Sequence, residues 1–309
     1  MNIHLENVNL YSTSGPNHFA NKLIKYLKKL DVSFNNKVEP HARLCFIESR
    51  HECSCAPTSN RAQFNEVPLV QRLDGIYFNS AQNYKLQNSN IKRTYNAASG
   101  VIFQSHFNKS LITKYFGEHK NSTVIHNGAD VDHIKSLNPM QAPELDKYEK
   151  VWSCASSWRP HKRLQDNIEY FLEHSSQKEC LVIAGHVDDK PIEDKRIYYV
   201  GNLNIDQLIS LYKRSAYFIH LAWLDHCPNV VVDARASGCH IICSSSGGTR
   251  EISGEDAIII DEDSWDFEPV ELYSPPSMNY SKKVKNSWQI DYNMYAVAEK
   301  YKKFLAKVQ

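Results

Sequence analysis

Residues 217–251 read YFIHLAWLDHCPNVVVDARASGCHIICSSSGGTRE, and their order decides the fold. Tyr217–Trp223 is an apolar run with strand composition. Pro228–Ser237 has helical period, and Gly238 stands where a helix C-cap belongs. His240–Ser244 is a second apolar strand, and Gly247-Gly248 then turns the chain. Strand, helix and strand in one short stretch predict a βαβ crossover, which joins parallel strands.

The same alternation extends outward. Strands are expected at Val151–Ser156, Cys180–Gly185, Ile197–Gly201 and Ala257–Asp261, with helices at Arg163–His174 and Asn204–Ser215. Asn204 and Gln207 have the spacing of a capping box. Strands alternating with helices predict a doubly wound parallel sheet. The N-terminal half repeats the theme: strands at Ile3–Glu6, Arg43–Ile47, Leu69–Leu73, Gly100–Gln104 and Thr123–His126, helices at Asn17–Leu30 and His106–Phe116. Ser105 is placed to cap the latter, and Gly117 to follow it. SLNPMQAPE, at 136–144, breaks both periodicities with two prolines. Three parts follow: an α/β domain over 1–140, a second over 141–290, and a helix in 291–309, with Met294, Val297, Tyr301, Phe304 and Leu305 on one stripe.

The chain has 309 residues, enough for two such domains, and is 42% hydrophobic and 23% charged, a globular composition. A net charge of +1 argues against a nucleic-acid partner, which would need a strongly basic face. The N-terminus MNIHLENVNL lacks an apolar signal-peptide core and no run is long enough to span a bilayer, so a cytoplasmic protein is expected. The eight cysteines are then reduced thiols, with Cys154, Cys180 and Cys243 in apolar runs. His51-Glu-Cys-Ser-Cys55 lacks the paired spacing of a zinc site, and no metal is expected. No G-x-G-x-x-G follows the first strand and no P-loop motif is present, which disfavours dehydrogenase and P-loop chemistry.

The chemistry-bearing residues lie in the opening stretch. Asp225 precedes a helix that contains Asp233, and eight helical residues rise about 12 Å. That matches a nucleotide sugar from hexose to ribose, and a carboxylate accepts two hydrogen bonds from vicinal hydroxyls. Gly247 and Gly248 allow backbone N–H groups to approach a diphosphate, with Thr249–Glu251 opening a helical turn. Ser156-Ser-Trp-Arg-Pro-His-Lys-Arg-Leu164 follows a strand and offers Arg159 and Lys162 as fixed cations.

This ordered string resembles the donor-binding signature of retaining GT-B glycosyltransferases of the family 4 type: an E-x7-E motif, then a G-G-x-x-E loop. Here both acids are aspartate, Asp225-x7-Asp233, and His226 stands where glycine is common. Lys162 fits the lysine of the family's R-x4-K segment; Ser157 occupies the arginine position and Arg159 falls two residues late. Ser12-Thr-Ser-Gly15 resembles the glycine-rich first loop, and the segments 71–77, 102–107 and 124–130 are similar to others in that lobe.

The resemblance implies two Rossmann-like domains with the donor cleft between them, acceptor-side first, and a last helix crossing back to the first. It implies transfer of a sugar from a nucleoside-diphosphate sugar to a hydroxyl of a glycan, lipid-linked or other acceptor, with retention and without a metal. Lys162, Asp225 and Arg159 would be catalytic. The donor would meet Gly15, Lys162, Asp225, Asp233, Gly247, Gly248, Thr249 and Glu251, and the acceptor Arg72 and Asp74. Two alternatives stay open: another enzyme class on this fold, such as a sugar phosphorylase or nucleotide-sugar epimerase, and a non-catalytic nucleotide-sugar-binding module. Helix 17–30 has lysines opposite an apolar stripe, which suits either peripheral contact with an anionic membrane or ordinary packing on a sheet.

Overall fold

β1 (Ile3–Glu6), β2 (Ala42–Phe46), β3 (Leu69–Leu73), β4 (Gly100–Phe103) and β5 (Ser122–Val124) pair in parallel, in chain order, in the computed structural model. The structure describes residues 1–12, 14–46, 67–79, 83–188 and 192–308. It divides into unit 1, comprising Met1–Gly128, Phe267–Val270 and Asp291–Gln309, and unit 2, comprising Ala129–Asp266 and Glu271–Ile290.

In unit 1, α1 (Gly15–Lys29) starts two residues before the expected Asn17, with Pro16 in its first turn, where a missing N–H costs nothing. Phe19, Ala20, Leu23, Tyr26 and Leu27 on α1 join Ile3, Leu44 and Phe46 from the sheet. Met294, Val297, Tyr301 and Leu305 of α9 (Met294–Lys307) complete that core. Burying each such side chain contributes about 1.5–3 kcal/mol. The apolar stripe of α1 is therefore inside the protein, and Lys22 is buried with it. What remains for a membrane surface is the exposed row Lys25, Lys28 and Lys29. Gly128 lets the chain pass α9: a Cβ there would lie 2.9 Å from the Met294 backbone.

α3 (His106–Phe116) is capped by Ser105, whose hydroxyl accepts from the Asn108 N–H. The sequence pattern missed α2 (Tyr84–Ala97), whose polar run YKLQNSNIKRTYNA buries only Ile91, Thr94 and Tyr95. It also missed α4 (Val131–Ser136), a short helix of unit 2. The unit boundary therefore falls at Gly128/Ala129, ahead of the proline stretch at 136–144. The physical reason is that α4 is tied into unit 2: Lys213 Nζ donates to the Ile134 carbonyl at 3.0 Å, and His133 meets Asp206 at 2.8 Å.

Unit 2 holds β6 (Lys150–Ala155), β7 (Glu179–Ala184), β8 (Ile197–Gly201), β9 (Tyr217–His220), β10 (His240–Ser244), β11 (Ile258–Ile260) and β12 (Lys283–Val284). Their order is β12-β11-β10-β9-β6-β7-β8, parallel except for the β12 edge. Helices α5 (Leu164–His174), α6 (Ile205–Arg214), α7 (Asn229–Ala236) and α8 (Thr249–Ile252) connect them. The Asn204–Gln207 capping box is formed in full. After β6 the chain winds one way through β7 and β8, then returns to build β9, β10 and β11 on the other side of β6. The winding thus reverses between β6 and β9. In open α/β sheets the crevice beyond the strand C-termini at such a reversal is where ligands bind.

Candidate active site

Three loops leave the C-terminal ends of β6, β9 and β10, and they meet. The β6 loop passes close to Gly185, where a Cβ would sit 2.1 Å from the Ser156 carbonyl; only glycine, here at φ 108°, permits that approach. Trp158 Nε1 donates to the Ala184 carbonyl at 3.0 Å, and a single 3₁₀ turn at Pro160–Lys162 then delivers Lys162. The Trp223 N–H donates to the His161 carbonyl at 2.7 Å, which joins the β6 loop to the β9 loop. Lys162 Nζ reaches Asp225 Oδ2 at 2.5 Å.

Asp225 is heavily engaged. His220 Nε2, at the end of β9, is 3.0 Å from the same Oδ2, and the His226 N–H donates to Oδ1 at 3.0 Å. The Gly248 N–H donates to the Asp225 carbonyl at 2.7 Å, and the Ser246 hydroxyl accepts from the Leu224 N–H at 3.3 Å. Gly247, at φ 84°, lies flat on this loop: a Cβ would be 2.5 Å from the Asp225 carbonyl oxygen. Glycine at 247 is thus required for the Gly loop to seat on the acidic loop.

Burial opposes the charge on Asp225, but the Lys162 ammonium and His220 outweigh it and hold the carboxyl well below the usual carboxylate range. Burial lowers His220 despite Asp225 beside it. Burial and the Lys162 charge together bring His161 down to about 3 and His226 to about 4. These histidines are neutral at neutral pH, so Lys162 and Asp225 are the fixed charges here. An ammonium carries three donors, and Asp225 takes one. The others are available to an anion, whereas the Ser245, Ser246 and Gly248 N–H groups are spent on Ile260, Ser244 and Asp225.

Of the residues expected in the site, Lys162, Asp225, Gly247 and Gly248 come together. Thr249 and Glu251 are buried in α8, directly after the Gly loop. Asp233 is buried on α7, and its charge raises the Tyr212 hydroxyl pKa after burial has done most of that work. Arg159 is exposed, and its charge reaches His161. Gly15, Arg72 and Asp74 belong to unit 1. Gly15 opens α1 and is exposed. Arg72 is 1% exposed, its guanidinium 4.4 Å from the Phe19 ring. It pairs with Asp74 and donates to Asn127 at 2.8 Å and Gln104 at 3.2 Å, so its charge is spent in the interior of the unit. Sequence reasoning missed His220, which reads as part of an apolar strand. Among the described residues no three His, Cys, Asp or Glu side chains gather as a metal site, and His51–Cys55 lies outside those residues.

A doubly wound sheet with a cation, a carboxylate and a glycine loop at its switch point is an α/β domain whose crevice suits an anionic ligand. Residues 149–268 match the family model described as Glycosyl transferases group 1. No curated protein sequence matches the chain. Among solved structures, a glycosyltransferase from Rickettsia africae aligns over 99% of this chain and 98% of its own at 15% identity, TM-score 0.61. Alr3699/HepE of Anabaena, in complex with UDP-glucose, aligns over 81% and 82% at 15% identity, TM-score 0.57. The catalytic domain of starch synthase IV from Arabidopsis thaliana, bound to ADP and acarbose, aligns over 96% and 78% at 11% identity, TM-score 0.59. The fold is GT-B, with two Rossmann-like domains. Together with the matched domain, it supports a glycosyltransferase of the GT-B type.

Proposed function

We propose that the chain transfers a sugar from a nucleoside-diphosphate sugar to an acceptor hydroxyl with retention of configuration and without a resident metal. The observation that carries this reading is the Lys162–Asp225 pair seated under Gly247–Gly248 at the switch point. In it, Lys162 and the Gly247 and Thr249 N–H groups hold the diphosphate and stabilise the negative charge that grows as it leaves. Asp225 anchors Lys162 and offers its remaining Oδ1 lone pair to a sugar hydroxyl, while Asp233 takes the ribose. The bond from the anomeric carbon to the phosphate oxygen breaks and the bond to the acceptor oxygen forms on the same face. The acceptor proton passes to the departing phosphate oxygen, so no side-chain base is required. Arg159 adds positive charge beside His161, and the acceptor is a glycan, lipid-linked or other hydroxyl.

UDP and ADP are the first nucleotides to test, since they occupy two of the structures resembling this one. Proton NMR of UDP-glucose or ADP-glucose incubated with the protein should show nucleoside diphosphate and a product of retained anomeric configuration. Inverted product would overturn the stereochemistry. Sugar 1-phosphate formed from an oligosaccharide and added phosphate would identify a phosphorylase, and binding without turnover a binding module. Contact of unit 1 with an anionic membrane would be electrostatic, through Lys25, Lys28 and Lys29, without apolar insertion. Liposome sedimentation at low salt that disappears at high salt tests it.

A further inference from the structure

We infer that Arg163 and Glu262 form a positioning pair that sets where Lys162 meets Asp225. The inference deepens the donor-site reading above and rests on it.

Arg163 follows Lys162 directly and adopts φ 53°, ψ 52°. That left-handed conformation disfavours side chains other than glycine, so something must hold arginine in it. Its side chain is 1% exposed and grips Glu262 with both ends of the fork, at 3.0 and 2.7 Å. The same guanidinium donates to the Leu221 carbonyl at 3.3 Å and the Pro276 carbonyl at 2.8 Å. Glu262 in turn accepts from the Ser244 hydroxyl, which accepts from the Ser246 N–H at 2.8 Å. The Glu262 N–H donates to the Ser245 hydroxyl at 2.8 Å.

One guanidinium therefore fixes three loops at once: the one ending in Lys162, the one leading through Leu221 to Asp225, and the one leading through Ser246 to Gly247. Asn167 adds a second tie, accepting from the Leu221 N–H at 3.1 Å and donating to the Lys162 carbonyl at 3.1 Å. A buried ion pair is poor evidence of stability, because desolvation offsets most of its attraction. Its planar, fixed geometry suits the setting of relative position. Arg163 touches neither Asp225 nor the Gly pair, and acts through the loops that carry them.

The test separates positioning from folding. Arg163→Gly suits the backbone but leaves Glu262 buried and unpaired, so its melting temperature falls. Adding Glu262→Gln removes that charge while keeping an acceptor for Ser244, and the melting temperature recovers. The readout is the rate at which acetic anhydride labels each lysine, resolved by mass spectrometry, with exposed Lys178 as internal reference. In the folded double variant Lys162 should label several-fold faster than in the wild type, with Lys178 unchanged. UDP affinity should fall on the order of tenfold to a hundredfold. A stable double variant with wild-type labelling of Lys162 would overturn the inference. Should it fail to fold, Glu262→Gln alone, which keeps the Arg163 contacts to Leu221 and Pro276, carries the same comparison. If the wild type binds no UDP the donor-site reading fails, and the labelling comparison still decides the positioning.

Discussion

Replacing Gly247 by alanine tests the seat of the Gly loop on the acidic loop. The residue has φ 84°, where an added Cβ costs about 1–2 kcal/mol in backbone strain. That Cβ would also stand 2.5 Å from the Asp225 carbonyl oxygen and 2.9 Å from its nitrogen. Both are backbone atoms and do not swing aside like a side chain, so the loop must lift. Overpacking of this kind costs about 1–3 kcal/mol and stretches the 2.7 Å bond from the Gly248 N–H. The expected loss is about 3 kcal/mol in urea denaturation, together with weaker nucleotide binding. Gly201→Ala is the control: φ is 67° and nothing lies within 4 Å of the added Cβ, so strain alone applies, about 1 kcal/mol. The difference of about 2 kcal/mol measures the contact with Asp225. Equal losses for the two variants would refute the close seating of the loops.

Lys162→Ala should fold and lose about 2–4 kcal/mol of transition-state stabilisation, read as a fall in turnover of a nucleotide sugar; near-normal turnover would remove Lys162 from the site. Asp233→Asn should weaken binding of the nucleoside diphosphate alone in calorimetry, because a ribose contact serves ground and transition states equally; an unchanged dissociation constant would assign Asp233 to structure. Stability should fall as pH drops from about 6.5 toward 4, the unfolded histidine value being near 6.5. His161 and His226 have folded pKa values of about 3 and about 4, so the folded state binds fewer protons across that window. Each contributes a slope of up to about 1.4 kcal/mol per pH unit. Asp225, with its depressed pKa, stabilises above the unfolded carboxylate value near 3.9 and loses that contribution only at lower pH. A flat denaturation midpoint between pH 7 and 5 would contradict the burial of these histidines.

Strands were legible as short, largely apolar runs bounded by turn residues, and Leu69–Leu73, Ile197–Gly201 and His240–Ser244 were read to the residue. α2 was not, because its face toward the sheet is only three residues and the rest is polar. Prolines at 139 and 143 suggested a boundary, but compactness follows the contacts of α4 instead. Lys162, Asp225 and the Gly pair stood out because each follows a strand, where the pattern breaks. His220 sits inside the apolar run itself. Glu262 lies 99 residues from Arg163, a separation at which no local pattern signals pairing.

Thermal denaturation with UDP, GDP, ADP and their sugars, run on the wild type and on Lys162→Ala, bears most directly on the claim that unit 2 holds a donor nucleotide. A ligand binding only the folded state at a hundred times its dissociation constant stabilises by about 2.7 kcal/mol. The account predicts an upward shift for at least one of these nucleotides in the wild type, and a smaller one in Lys162→Ala at the same concentration. No shift with any of them, or an equal shift in both proteins, would contradict it.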